Sequence, residues 1–398
     1  MAKGSRAWIN KETFAHICTS IGVTSAFLAK KTTLDEDKIN KWLSIDDDVL
    51  PTINQAKKIA KALKIPFAGL YMSKNGINIK HLPKMRSLRT MSFGMAIDES
   101  ALNLAIVDLI RARDFLVSSE ENLGIGKNTV SLPILAGNAT VADFARTIRS
   151  FFALDLQAQF KCSSPRQFYL YLRRQIESHG LFINCFTDID VEVVRGIAIF
   201  DDGIPIIGIN DNDRYPAKSF SIIHELVHII KHQSVTCNEM FSSFSVQQEE
   251  VFCNAVAGEV LVSSTALNAY FTANNLADIL LADIETMAKR FNVSKEVITR
   301  RLFDTNYFTQ DEYDIYINEI RQNFESERQA QKIARQEGRA PQIAKVPSRE
   351  AVDINSSAIC RVLLFGYGEG YFSKQDVSGL LGIKEKHISA FITEVAKW

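Results

Sequence analysis

His224 and His228 stand four residues apart, with Glu225 beside the first, in the stretch SFSIIHELVHIIKH (219–232). On a helix, residues four apart share one stripe, so both imidazoles face the same way. Two imidazoles at that spacing can hold a metal ion, and the carboxylate next to them can take a proton from a water. This is the H-E-x-x-H pattern. Histidine is scarce, 7 in 398 residues, so chance seldom produces the pairing. A plain core helix with two satisfied histidines and a surface glutamate is the competing reading. The flanks Phe220, Ile222, Ile223, Leu226, Val227, Ile229 and Ile230 count against it, because they leave Glu225 hardly any solvent face. A buried carboxylate without a cation nearby is costly.

Two histidines are too few for a catalytic zinc, which takes three protein ligands and keeps one open position. Downstream candidates for the third are His232, Cys237, Glu239, Glu249 and Glu250. In EEVFCNAVAGEVLV, Glu250 and Asn254 share a helical stripe, so Glu250 can ligate while Asn254 hydrogen-bonds a ligand side chain. Glu249 is the main competitor, with Cys253 at its own i+4 position. His232 continues the stripe of His224 and His228 but falls at the helix end. A hydrolytic site also needs a second donor for developing negative charge. Arg214, Tyr215, His232 and Tyr270 are the candidates, and spacing does not choose among them. An extended substrate could add to an exposed strand just before the motif, through Ile206, Gly208 and Asn210.

The elements that must position these groups follow from periodicity. Residues 10–75 read as short helices, with Pro51-Thr52 opening one and Pro66 closing it. Leu102, Ala105, Ile106, Leu109 and Ile110 mark one side of an amphipathic helix. The period then shortens. GLFINCF, VRGIAIFDD and GIPIIGIN are β-branched or aromatic runs separated by Gly and Asp, the signature of a small sheet. The motif helix follows, then a helix near 247–262 and further helices to the C-terminus. The expected fold class is α+β, mainly α. The expected units are a helical N-terminal unit (1–75), a helical connecting region (76–150), a core with sheet and motif (151–305), and a helical C-terminal domain (306–398). A charged linker is expected near 325–350.

Lys plus Arg equals Asp plus Glu at 46 each, so overall charge points to neither nucleic acid nor membrane. Six scattered cysteines form no C-x-x-C, which fits a reducing compartment. No signal-peptide core or membrane-length apolar run is present, so the expectation is a cytoplasmic protein without a membrane partner.

Several stretches together resemble the ImmA/IrrE family of metallo-endopeptidases. VRGIAIFDDGIPIIGIN is similar to that family's strand pair before the active helix. RYPAKSFSIIHELVHIIKH resembles its R-x-x-F-T-x-x-H-E-x-x-H segment, and EEVFCNAVAGEVLVS its E-x-x-A-N-x-F-A-x-x-L-L-M-P segment. FNVSKEVITRRL resembles the F-x-V-S segment that follows. Cys253 stands where Ala is usual, Val262-Ser263 replaces Met-Pro, and Val227 replaces a frequent Gly. The resemblance implies a gluzincin-like peptidase core. It implies one zinc ion on His224, His228 and Glu250, with Glu225 as catalytic base and Asn254 as supporting residue. It further implies a regulatory role, with a repressor-like or antitoxin protein as substrate, in a stress, mobile-element or phage-defence switch. Two other readings stand beside it: the toxin of a toxin–antitoxin pair, and a DNA-binding regulator using the peptidase fold as a sensor.

FLAKKTTLDEDKINKWLS with PTINQAKKIAKAL resembles an XRE-type helix–turn–helix, which implies DNA as a possible partner through residues 1–75. The turn carries Thr32-Thr33 in place of the usual small residue and Gly. Asp35-Glu36-Asp37 opens the helix that would enter the groove.

Overall fold

The computed structural model describes residues 5–76, 99–126, 129–200, 203–234, 243–274, 279–337 and 346–397. Cys237 and Glu239 lie outside the described residues, as does the side chain of His232.

The N-terminal unit is built from α1 (Lys11–Ile21), α2 (Ser25–Thr32), α3 (Glu36–Leu43) and α4 (Ile53–Ala62). Their cores meet through Phe14, Ile17, Leu28, Ile39, Trp42 and Ile59. Thr33 in the left-handed region (φ 58°) makes the turn between α2 and α3. The three acids at the start of α3 are exposed. Asp35 caps the helix by accepting from Lys38 N at 3.1 Å, and Glu36 accepts from Ser25 Oγ at 3.0 Å. Acids suit a helix N-terminus.

Next comes α5 (Glu99–Asn122), the helix expected as a connector. It is buried on several sides. Leu104 and Val107 join the N-terminal core, while Leu102, Ile106, Leu109 and Ile110 pack on the sheet. Lys64 pairs with Asp108, and Arg111 donates to Lys64 O at 3.0 Å, so this helix fastens the N-terminal unit to the rest.

After α6 (Val141–Phe151), α7 (Leu156–Lys161) and α8 (Pro165–Glu177) come β1 (Phe182–Phe186), β2 (Gly196–Ile199) and β3 (Ile206–Asn210). The sheet order is β1-β3-β2, with β1 parallel and β2 antiparallel to β3. The expected substrate edge at Ile206, Gly208 and Asn210 is therefore corrected: β3 is the central strand, hydrogen-bonded on both sides. Its composition agrees, since Ile206, Ile207 and Ile209 have no exposure. Asn210 is turned to structural use, donating to Ile189 O at 3.0 Å and Val194 O at 2.8 Å. Gly208 allows the close approach of α5, because a Cβ there would overlap Leu109 Cδ1. The outer edge of β1 is closed by Arg173, which donates to Ile183 O, and by Asn184, which accepts from Ser356 N at 2.9 Å. The residues of β2 are buried.

Alternation along the strands sends side chains into two cores. Ile183, Cys185, Ala198, Ile207 and Ile209 face α9 (Tyr215–Ser234), α10 (Ser243–Leu261), α11 (Ser264–Asn274), α12 (Leu281–Phe291) and α13 (Lys295–Asp304). Phe182, Phe186, Ile197, Ile199 and Ile206 face α5 and the C-terminal helices. The chain ends with α14 (Gln310–Gln336), α15 (Pro347–Ile354), α16 (Ser357–Gly368), α17 (Lys374–Leu381) and α18 (Ile388–Val395). The segment expected as a charged linker is thus largely the exposed half of α14 where it is described. The C-terminal helices cover one face of the sheet and share its core. The fold is α+β and mainly helical. No single helix among the described residues is long and apolar enough to cross a membrane.

Candidate metal centre

The motif helix α9 is buried along its middle. Ile222, Ile223, Leu226, Val227 and Ile230 have no exposure; His224, Glu225 and His228 are 2%, 1% and 0% exposed. Apolar residues surround it because β2, β3, α8 and α10 all pack against it. The two imidazole rings lie edge to face at 4.8 Å.

Glu250 arrives from α10, whose C-terminal end is held by side chains. Arg149 donates to Val260 O at 2.6 Å, Gln159 to Leu261 O at 2.9 Å, and Arg301 to Val262 O at 3.0 Å. These bonds satisfy carbonyls that a helix end leaves unpaired. They also fix the axial position of α10 and hence of Glu250.

The three groups converge. His224 Nε2 and His228 Nε2 are 3.1 Å apart. Glu250 lies 3.2 Å from the first and 3.3 Å from the second. Four ligands at about 2.0–2.1 Å in a tetrahedron are about 3.3 Å from one another. The donor set, two imidazole nitrogens and a carboxylate oxygen, and its spacing therefore fit a zinc-sized ion. Electrostatics point the same way. Burial works against protonating His224. The Glu250 hydrogen bond, the charges of Glu225 and Glu250, and a hydrogen bond with the Asn254 side chain outweigh burial and push its pKa up. Burial would raise Glu250, yet the two histidines pull it down to about 2. The site is one that favours positive charge at its centre.

Glu225 sits beside these donors, against strand β2. A Cβ at Gly196 would overlap its carboxylate, 2.9 Å from Cδ, so only glycine leaves room for it. This glycine was not foreseen from the sequence, where Glu249 and Cys253 stand only as a rival ligand and its i+4 neighbour. Glu249, the expected rival ligand, lies on the other side of the His228 ring, 3.9 Å from Nδ1, and Cys253 Sγ is 3.6 Å from the same nitrogen. The i, i+4 spacing of Glu249 and Cys253 was the available signal.

The remaining expected site residues are dispersed. Arg214 lies over the Phe324 ring at 4.4 Å, and the Tyr215 hydroxyl donates to Asp353 at 2.6 Å. Tyr215 opens α9 and Arg214 immediately precedes it, roughly 14–15 Å along the axis from His224 at about 1.5 Å per residue. They are corrected as oxyanion donors. Their nearness in sequence to the motif becomes distance along a helix. Tyr270 packs its ring against Phe291 at 6.3 Å, on α11.

Residues 177–303 match the family model Peptidase M78, the IrrE N-terminal-like domain. The matched span holds the three strands, the motif helix and α10 through most of α13. The match supports a metallopeptidase-type function, and the donor cluster offers groups that could hold the metal. No curated protein matches the chain. Through residues 177–303, about a third of its length, the chain is similar to the IrrE N-terminal-like domain of the Peptidase M78 family.

Proposed function

We propose that the chain is a zinc-dependent endopeptidase that cuts a regulatory partner protein. The observation that carries the peptidase reading is the convergence of His224, His228 and Glu250 at 3.1–3.3 Å, with the buried Glu225 beside them on the motif helix. His224, His228 and Glu250 would hold the ion, which when bound supplies Lewis-acid polarisation of a carbonyl oxygen and lowers the pKa of a water. Both imidazoles must then be neutral, each with a lone pair on Nε2. Glu225 takes a proton from the attacking water as the new C–O bond forms. It hands that proton to the amide nitrogen as the C–N bond breaks. Its slot between α9 and Gly196 excludes bulk water and fixes the carboxylate. The choice of a repressor-like or antitoxin substrate rests on the family resemblance.

Glu250→Ala is expected to purify without zinc, as read by elemental analysis, while the wild type holds one ion per chain. Stoichiometric zinc in that variant would overturn this ligand assignment. The substrate class is tested by co-expression with a small helix–turn–helix protein encoded beside this chain. A shortened partner in the presence of the wild type is expected, and an intact one counts against the proposed partner.

Gly196→Ala tests the slot. The added methyl pushes the Glu225 carboxylate away from its position. Misplacement of about 1 Å in a catalytic group can cost roughly 100-fold in rate. Loss of that order in turnover with unchanged zinc content is expected. An unchanged rate would mean that the carboxylate has room the geometry does not show.

A further inference from the structure

We infer that Glu249, Cys253 and Lys231 form a supporting layer behind His228 that fixes which ring nitrogen faces the metal donors. The inference rests on His228 being a ligand. Its Nε2 faces His224 and Glu250 at 3.1 and 3.3 Å. On the opposite side of the ring, Nδ1 faces Cys253 Sγ at 3.6 Å and Glu249 Oε1 at 3.9 Å. Two adjacent glutamates on α10 thus straddle one imidazole, Glu250 toward Nε2 and Glu249 toward Nδ1. An imidazole that donates from Nδ1 keeps its lone pair on Nε2, the form a metal needs.

The layer has its own support. Lys231 Nζ lies 3.3 Å from Glu249 Oε1 and 4.9 Å from the centre of the Phe252 ring. Phe252 in turn meets Phe144 of α6 edge to face at 5.2 Å. The Glu249 side chain is 10% exposed and Cys253 has no exposure, so neither group wanders into solvent.

His228, Glu249 and Cys253 are also close enough together to suggest a second ion. One observation favours the supporting role: the Lys231 ammonium, 3.3 Å from Glu249 Oε1, already occupies the carboxylate that a second ion would need. Glu249 and Cys253 are therefore positioning residues, which act through His228.

The test compares zinc affinity by chelator competition, with Co²⁺ absorption spectra, in the wild type, Glu249→Ala, Glu249→Gln and Cys253→Ala. Removing the carboxylate is expected to weaken zinc about 10–100-fold. Gln, which keeps an acceptor without the charge, should fall between Ala and the wild type. The melting temperature of the zinc-free protein should change little. If the truncation does not fold, the double variant Glu249→Gln/Cys253→Ala, which keeps most of the bulk, carries the comparison and should bind zinc more weakly than Glu249→Gln. Affinity within about twofold of the wild type in every variant overturns the inference. So does a second zinc ion in the wild type that disappears with Glu249→Ala. A wild type that binds no zinc at all overturns the peptidase reading itself, which separates the two failures.

Discussion

Glu225→Gln is expected to keep its zinc and lose its peptide hydrolysis. Glutamine has the shape of glutamate, so it fits the slot beside Gly196. It cannot accept a proton from water, and general-base assistance of this kind is worth about 10²–10⁴ in rate. The ion should stay, because the three converging donors belong to His224, His228 and Glu250. Elemental analysis and turnover of a peptide substrate read the two properties separately. Zinc retained with turnover within about tenfold of the wild type would place the base elsewhere. Zinc lost together with turnover would mean that Glu225 is itself a ligand. In co-expression the same variant should leave the partner protein intact.

The helical part of this site was legible because helix geometry is local. Four-residue spacing puts His224 and His228 on one stripe, and the same rule links Glu250 to Asn254 and Glu249 to Cys253. What failed was non-local. Three short apolar strands of similar composition carry no mark of their order, so the central β3 was expected at an edge. Arg214 and Tyr215 lie close to the motif in sequence, but a helix carries them away from it. Gly196 was invisible as a site residue because its role is an absence, the missing Cβ opposite Glu225. The attachment of the C-terminal helices was equally hidden, since most of its acceptors are backbone carbonyls, which every residue has.

That attachment predicts the largest effect on stability. Arg173 is 1% exposed on α8 and donates to Asp353 O and Asn355 O, each at 2.6 Å, and to Ile183 O of β1 at 3.3 Å. Its i+4 neighbour Glu177, 3.8 Å away and 4% exposed, accepts from Ser357 N at the start of α16. Asp353 is gripped again by Arg166 at 2.7 Å and by Tyr215 of the motif helix. Arg173→Met fills much of the same space but leaves those carbonyls without their donors and Glu177 buried without its cation. Removing one partner of a buried ion pair costs about 3–5 kcal/mol. Chemical denaturation of the zinc-free protein should show a loss of that size. The double variant Arg173→Met/Glu177→Gln should recover part of it, because removing both charges avoids the uncompensated one. If the single variant stays within about 1 kcal/mol of the wild type, other donors or water must satisfy the carbonyls, and this contact does not hold the C-terminal helices on the sheet. If the loss appears, the strand order around β1 and the start of the motif helix depend on residues nearly half the chain away. The peptidase fold would then require its C-terminal helices for stability.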